Sequence, residues 1–574
     1  MPRRRLAALA LLALTACGPA PQVTSTPASP DRDLLDVTVT RLHALYDAKT
    51  YTVTQVVQWH LDRIDRYNGV YGAIETVFRD DALALAAQQD AQAAAGGTAA
   101  SRGALWGVPI VIKANTSIKG QITTAGWEGF TRSGVELVAA EDATVVARFK
   151  AAGAVILGHT NMPDLANSDT NRSSSFGRTG NAYDVRFSPG GSSGGTVTAV
   201  AANFAVLGNG TDTGNSIRMP AATSALVGVY PTRGLVSIAG IAPLDWLLDN
   251  TGPIARTAED AAIALAVMAG EDPLDARTVG SAAQAQPAPY TAFLKPDALK
   301  GKRFGVPAFI LAGDGVPFHG IPAAVPPAAA ERLRTAANMP LGPETREMFM
   351  KAVEALRAAG ATVVFDDTIL PVSFARTASR VATYAYMRDG TDRFLARYGP
   401  AGYHSAAEYE KAAGQPLFTS SIGTEDYFRR LGGVVVEQRS LDTDPAAERD
   451  YHAPRRATLA AYLEPLERLT LDGYVYPAIQ MPPPDETMPQ DGQLSSGPHS
   501  ATSWTNMIGV PAIVVPAGTY ASGLPFGLEF AARPWRDGDL LGIANAWERA
   551  TPPRTPPVLV DRGLLPITPA RRPR

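Results

Sequence analysis

The 574-residue sequence has little charge of either sign and a single cysteine. Charged residues make up 19% of the chain and hydrophobic residues 45%. The average protein is roughly 25% charged, so this balance excludes a highly charged disordered chain. The 52 basic and 55 acidic residues nearly cancel. A nucleic-acid-binding protein should carry a basic field, so no nucleic-acid partner is predicted.

The scarcity of cysteine also limits the chemistry. A single cysteine, Cys17, excludes an internal disulfide and a zinc site built from cysteines. The seven histidines include no HxxxH pair, which excludes the helical zinc site of that motif. No metal ion is therefore predicted. No apolar stretch reaches 18 residues without breakers, so no membrane-spanning helix is predicted either.

The first 17 residues predict a signal peptide. Three arginines near the start precede an apolar stretch at 6–16, which is too short to span a bilayer as a stable helix. The stretch ends in Leu-Thr-Ala-Cys, which resembles the lipobox of bacterial lipoproteins. That resemblance implies that Cys17 is acylated and becomes the mature N-terminus, followed by a flexible tether at 18–33. We expect a protein held by lipid on a membrane surface of the cell envelope, outside the cytoplasm. An ordinary secretory signal with an incidental cysteine is the alternative.

Beyond the tether, strand patterns alternate with helix patterns. Residues 106–113 form a short β-branched run that predicts a buried strand ending in Lys113. Residues 144–152 predict a helix, and 154–157 predict a second strand. The alternation continues to about residue 270 and is typical of an α/β fold.

A single α/β domain is predicted over residues 34–555, although the chain length alone would suit several domains. Two insertions are predicted inside it. Residues 282–345 are rich in Pro, Ala and Gly with weak periodicity, which favours a loop, and 372–470 read as mostly helical. The tail at 556–574 is expected to be loosely ordered.

Two glycine-rich segments lie close together in the sequence. The first, at 188–195, contains four glycines and would on its own suit a flexible linker. A helix-like segment follows at 196–202, and a strand expected at 204–207 then enters the second segment, 208–221, as a turn that opens a helix. Backbone N–H groups at such a turn can bind a negatively charged oxygen. A serine placed there can attack a carbonyl group while those N–H groups stabilise the oxyanion.

These segments resemble the amidase signature family of serine hydrolases. The match is Gly-Gly-Ser-Ser-Gly-Gly at 190–195, then Gly-x-Asp-x-Gly-x-Ser-Ile-Arg-x-Pro-Ala at 210–221. It extends back to Gly-Val-Pro-Ile-Val-Ile-Lys at 107–113 and forward to 509–518, so it spans about residues 35–550. The family implies an α/β fold with a central mixed β-sheet covered on both faces by helices.

The resemblance also implies a Ser-cisSer-Lys triad. Ser216 is the nucleophile, Ser192 is the bridging serine after a cis peptide bond from Gly191, and Lys113 is the base. Burial at the end of its strand should lower the pKa of Lys113 enough to leave some neutral amine. The oxyanion-hole positions that the resemblance implies are the N–H groups of Thr213, Gly214, Asn215 and Ser216.

The predicted reaction is hydrolysis of the C–N bond of a small-molecule amide through an acyl-enzyme, which releases ammonia or an amine without a cofactor. Asn215 stands where glycine is common in the family, so its side chain is expected to narrow the site or to bond the substrate. Asp212 and Arg218 belong to the signature, and we interpret both as structural.

Three alternatives stay open. An esterase or urethane hydrolase would use the same triad. A glutaminase-type subunit of a tRNA amidotransferase is disfavoured by the export signal, because tRNA is cytosolic. An inactive envelope binding lipoprotein is disfavoured because all three triad residues are present. Acyl and amine specificity and oligomeric state are not predicted.

Overall fold

The computed structural model describes residues 29–317, 319–417, 436–487 and 497–557. The predicted signal peptide with Cys17, most of the predicted tether and nearly all of the predicted tail lie outside these residues. Within the four described ranges, no helix is both long and apolar enough to cross a membrane.

The α-helices of the described ranges are α1 (Pro30–Leu34), α2 (Val39–Asp47), α3 (Val53–Tyr71), α4 (Arg79–Ala94), α5 (Ala99–Arg102), α6 (Thr144–Ala151), α7 (Gly194–Ala201), α8 (Arg218–Ala222), α9 (Ala258–Met268), α10 (Ala308–Ala312), α11 (Pro327–Ala337), α12 (Pro343–Ala358), α13 (Val372–Ala378), α14 (Met387–Tyr398), α15 (Ala406–Ala413), α16 (Ala453–Arg468), α17 (Trp504–Ile508) and α18 (Asp537–Ala550). The β-strands are β1 (Ile74–Val77), β2 (Pro109–Lys113), β3 (Val155–Thr160), β4 (Arg172–Ser173), β5 (Gly177–Arg178), β6 (Leu207–Asp212), β7 (Val227–Tyr230), β8 (Asn250–Ala255), β9 (Arg303–Gly305), β10 (Thr362–Val364), β11 (Gly473–Pro477), β12 (Ala512–Thr519) and β13 (Pro525–Ala532).

A mixed central sheet organises the molecule. In the described residues it has 11 strands in the order β1-β3-β2-β6-β8-β7-β12-β13-β11-β9-β10. Strand β2 runs parallel to both β3 and β6, whereas β6, β8, β7 and β12 pair antiparallel in turn. The predicted fold class, an α/β fold with a central mixed sheet flanked by helices, is confirmed.

Both faces of this sheet are buried. Along β11, Tyr474 and Tyr476 belong to one hydrophobic cluster, and Val475 between them belongs to another. Neighbouring side chains of a strand point to opposite faces, so the two clusters cover the two sides of the sheet. A strand that is buried on both sides reads as a continuous apolar run, which explains the sequence of β12 at Ala512–Val515.

Two boundaries differ from the sequence-based expectation. The region 282–345 contains β9, which pairs with β11 and β10 inside the central sheet, so this region is not wholly an insertion or loop. The strand has only three residues, too few for a periodic pattern, and its buried Phe304 packs edge-on against Phe530. The predicted tether at 18–33 ends in helix α1, where Asp33 accepts a hydrogen bond from Tyr51, so its last residues pack on the domain.

Candidate active site

Lys113 is the last residue of β2, a strand whose five residues are all buried. Its Nζ donates hydrogen bonds to Ser192 Oγ (2.7 Å), Ser193 Oγ (3.0 Å) and Thr211 Oγ1 (2.9 Å). All three acceptors are neutral hydroxyl oxygens, and among the described residues no carboxylate forms an ion pair with this amine. The fold therefore places the predicted base against the predicted bridging serine.

This environment favours the uncharged amine. Burial lowers the pKa of Lys113 to about 7, and the negative charges of Asp212 and Asp249 offset only part of that effect. A lysine in water has a pKa near 10.4 and is almost wholly protonated at neutral pH. Lys113 can therefore accept a proton near pH 7, as a general base must.

Ser192 lies in the first glycine-rich segment, just before helix α7. The peptide bond between Gly191 and Ser192 is cis, as the resemblance implies. A Cβ atom on Gly191 would lie 2.6 Å from the carbonyl oxygens of both Ser168 and Thr170. Real Cβ atoms do not come so close to backbone oxygens, which explains why glycine precedes Ser192.

Ser193 joins this segment to the one that holds Ser216. The N–H of Ser193 donates to the carbonyl oxygen of Ser216 (3.2 Å), and Ser193 Oγ donates to the carbonyl oxygen of Thr211 (3.2 Å). Ser216 itself is buried, at 2% exposure. Within the described ranges the hydroxyls of Ser192 and Ser216 are not hydrogen-bonded to each other. Catalytic hydrogen bonds are often loose before substrate binds and tighten in the complex.

The segment before Ser216 has the features of an oxyanion-binding loop. The backbone N–H groups of residues 213–216 donate to no acceptor among the described residues. The loop is instead held through other atoms, because Thr213 Oγ1 donates to Asp249 (2.5 Å) and the Gly214 carbonyl accepts from Arg218 (2.8 Å). The N–H groups of Thr213, Gly214, Asn215 and Ser216 are thus available to a ligand oxygen.

A buried ionic network supports this loop. Arg218 contacts both Asp212 (3.1 Å) and Glu529 (2.8 Å), and all three side chains are fully buried. Burial disfavours the charged form of Asp212, but the Arg218 guanidinium and the N–H of Ile217 outweigh it and hold the pKa below its usual range. Asn506 also donates to Asp212 (2.9 Å). Asp212 and Arg218 therefore brace the loop, in agreement with the structural interpretation.

Asn215 bonds its protein neighbours. Its Nδ2 donates to Asp169 Oδ1 (3.2 Å) and to Ser500 Oγ (2.9 Å). The side chain thereby ties the loop to two segments that are distant in sequence.

The second glycine-rich segment differs locally from the expectation. The strand expected at 204–207 begins at Leu207 and continues to Asp212, so Gly208 and Gly210 belong to β6 and not to a turn, whereas Gly214 lies in the bend between β6 and α8. A Cβ atom on Gly208 would lie 2.8 Å from the carbonyl oxygen of Val111 on the neighbouring strand. Glycine is needed here for close strand packing, and sequence alone does not separate that role from a turn.

Three residues of the site were not singled out from the sequence. Thr211 occupies an unspecified position of the signature and so lies next to a usable signal, whereas Asp249 lies outside the quoted motifs, directly before β8. Asp169 follows no pattern, because only the fold brings it to Asn215. The four described ranges contain no group of three or more His, Cys, Asp or Glu side chains placed to hold a metal ion.

Comparisons with known proteins agree with this geometry. The amidase family model matches residues 55–317 and 332–541. A glutamyl-tRNA(Gln) amidotransferase subunit from Symbiobacterium thermophilum is 33% identical over 525 residues, which cover 89% of this chain and 96% of that protein. The peptide amidase of Stenotrophomonas maltophilia is similar in structure, with a TM-score of 0.71, 30% identity and coverage of 91% of this chain and 98% of that one.

A 6-aminohexanoate cyclic dimer hydrolase shares the fold, with a TM-score of 0.68, 23% identity and coverage of 92% of this chain and 99% of that one. The family model covers most of the chain, and the similarity to the peptide amidase and to the amidotransferase subunit extends over nearly its full length. The chain belongs to the amidase family of enzymes that act on C–N bonds.

Proposed function

We propose that the protein hydrolyses carboxamides through a covalent acyl-enzyme, with Ser216 as the nucleophile, Ser192 as the bridging hydroxyl and Lys113 as the base. The observation that carries the proposal is the buried amine of Lys113, 2.7 Å from Ser192 Oγ and with a pKa lowered to about 7. A lysine kept uncharged beside a serine hydroxyl suits proton transfer.

The proposed steps follow from these positions. Neutral Lys113 Nζ takes the proton of Ser192 while Ser192 takes that of Ser216, and Ser216 Oγ bonds to the carbonyl carbon. The oxyanion binds the N–H groups of 213–216. Reversal of the relay protonates the leaving nitrogen, the C–N bond breaks, and ammonia or an amine departs. Water then repeats the sequence, releases the carboxylic acid and restores the Ser216 hydroxyl.

A second candidate is a glutaminase-type subunit of a tRNA amidotransferase. It is favoured by curated relatives that are named as glutamyl-tRNA(Gln) amidotransferase subunits and are 30–33% identical to this chain. The predicted export signal at 1–17 argues against it. We therefore keep amide hydrolysis as the main proposal, with an esterase or urethane hydrolase as the variant that uses the same residues.

We further propose that the enzyme is anchored in the cell envelope through acylated Cys17. The support is the Leu-Thr-Ala-Cys sequence after an arginine-rich start.

The test is an activity panel on the full-length protein in detergent. Hexanamide, an anilide, a peptide amide, glutamine and an ester are offered in parallel, and ammonia, amine or acid release is measured. We expect ammonia from neutral primary amides with the wild type and none with Ser216→Ala. Hydrolysis of glutamine alone would favour the amidotransferase subunit, and hydrolysis of the ester alone would favour the esterase.

A further inference from the structure

Asp169 lies between the two glycine-rich segments of the active site. The carbonyl oxygens of its neighbours Ser168 and Thr170 lie close to Gly191, the residue before the proposed bridging serine. Its own Oδ1 accepts a hydrogen bond from Asn215 Nδ2 (3.2 Å). Asp169 therefore reaches the residue that directly precedes the proposed nucleophile.

The carboxylate of Asp169 has no cationic partner among the described residues, and its side-chain donor there is the neutral amide of Asn215. Asp169 is partly exposed, so a ligand can reach it. Beside it, Oδ1 of Asn215 is buried without a hydrogen-bond partner in the described ranges, in a residue that is only 5% exposed. Two acceptors thus lie together with too few donors, and an unsatisfied buried acceptor costs free energy.

No neighbouring cation among the described residues neutralises the Asp169 carboxylate. The charge of Asp212 is matched by Arg218 at 3.1 Å, and Lys113, with a pKa lowered to about 7, forms no ion pair with Asp169 among the described residues. Burial, and to a smaller extent the negative charge of Asp212, raise the pKa of Asp169 to about 6, while the hydrogen bond from Asn215 lowers it. The carboxylate is therefore still mostly ionised at neutral pH.

We propose that Asp169 binds a protonated amino group of the substrate, so that the preferred substrates are small amides with an ammonium group a few bonds from the scissile carbonyl. An ammonium group offers three N–H donors and no acceptor, which suits the Asp169 carboxylate and the amide oxygen of Asn215. Asp169 is hydrogen-bonded to Asn215, which is adjacent to Ser216, so the proposed ammonium site lies near the proposed nucleophile and suits a short acyl chain. This inference rests on the proposed amide hydrolysis.

Matched substrate pairs test it on the full-length protein. 5-Aminopentanamide is compared with hexanamide, and leucinamide with 4-methylpentanamide, so that each pair differs in the ammonium group. We expect kcat/KM to favour the ammonium member by about 10- to 100-fold, the range of one charge-assisted hydrogen bond. In Asp169→Asn this ratio should fall close to one. Asp65→Asn removes the same charge from an exposed side chain paired with Arg79 and should keep the ratio.

A binding experiment separates this inference from the proposed reaction. In the Ser216→Ala background, calorimetry should show tighter binding of 5-aminopentanamide than of hexanamide, and the difference should vanish when Asp169→Asn is added. Asp169→Ser replaces Asp169→Asn if the melting temperature shows that Asp169→Asn is misfolded. Two results would overturn the inference and leave amide hydrolysis intact. In the first, the wild type hydrolyses the neutral amides and its kcat/KM ratio between the ammonium and neutral members is near one. In the second, this ratio is unchanged in Asp169→Asn. Failure to hydrolyse any amide, together with equal binding of the pair, overturns both.

Discussion

The pH dependence of the reaction follows from the environment of Lys113. A base must be neutral to accept a proton, and the pKa of Lys113 is lowered by burial from 10.5 to about 7. At pH 7 about half of such lysines are neutral, against roughly one in 3,000 at the ordinary value. Activity should therefore be lost as pH falls through 7, with kcat/KM changing about tenfold per pH unit below pH 6 and levelling above pH 8.

The assay is ammonia release from hexanamide between pH 5 and pH 9, at constant ionic strength. Lys113→Ala should lose about 10²–10⁴ of the rate, the usual contribution of a general base. Asp249 also needs a control, because burial raises its pKa to about 7. The negative charge of Asp249 raises the pKa of Lys113. In Asp249→Asn the midpoint of the pH–activity curve should therefore stay at the wild-type pH or fall slightly below it. The variant also weakens the hydrogen bond that holds Thr213 in the loop.

Histidine variants test whether a histidine, and not Lys113, is the base. Burial lowers the pKa of His159 to about 4, and its Nε2 lies 3.2 Å from the carbonyl oxygen of Thr116, which is a structural position. Burial also lowers the pKa of His499. His159→Gln and His499→Gln should both keep the inflection near pH 7. If either variant lost as much kcat/KM as Lys113→Ala while remaining folded, the lysine-based mechanism would be wrong.

Three further outcomes are expected. A fluorophosphonate probe should label the wild type but not Ser216→Ala, and undiminished labelling of the variant at another residue would reject Ser216 as the nucleophile. Arg218→Met should lower the free energy of unfolding, measured in urea, by about 3–5 kcal/mol, because Asp212 and Glu529 would stay buried without their cation. The variant should also shift the pH–activity curve to higher pH. A loss below about 1 kcal/mol would show that this network is dispensable. Cys17→Ala should move the protein out of the membrane fraction, and unchanged fractionation and mobility would exclude the lipid anchor.

Much of the fold could be predicted from the sequence where local pattern and burial agree. Strand β2 is predicted because its β-branched run is distinctive, and helix α6 because its apolar residues have helical spacing. Strand β9 is missed because three residues carry no period, and its place in the sheet depends on pairing with strands distant in sequence.

The candidate site divides in the same way. Lys113, Ser192 and Ser216 could be named because they lie in a long, specific signature, and the first two meet in the structure as that signature implies. Asp169 could not be named, since its contact with Asn215 joins residues 46 positions apart through loop geometry. The roles of Gly208 and Gly210 could not be predicted either, because a turn and a close contact between strands both require glycine.

The charges of the site explain why the pKa of the buried Lys113 is low although the buried Asp212 belongs to the same site. Asp212 is ionised, yet its charge is directed to Arg218 and to the N–H of Ile217. Lys113 meets only hydroxyl and carbonyl oxygens, so burial dominates and its pKa falls. If Arg218 were absent, the unpaired charge of Asp212 would stabilise protonated Lys113 and raise its pKa. The network that holds the oxyanion-binding loop in place is therefore also what keeps the base available at neutral pH.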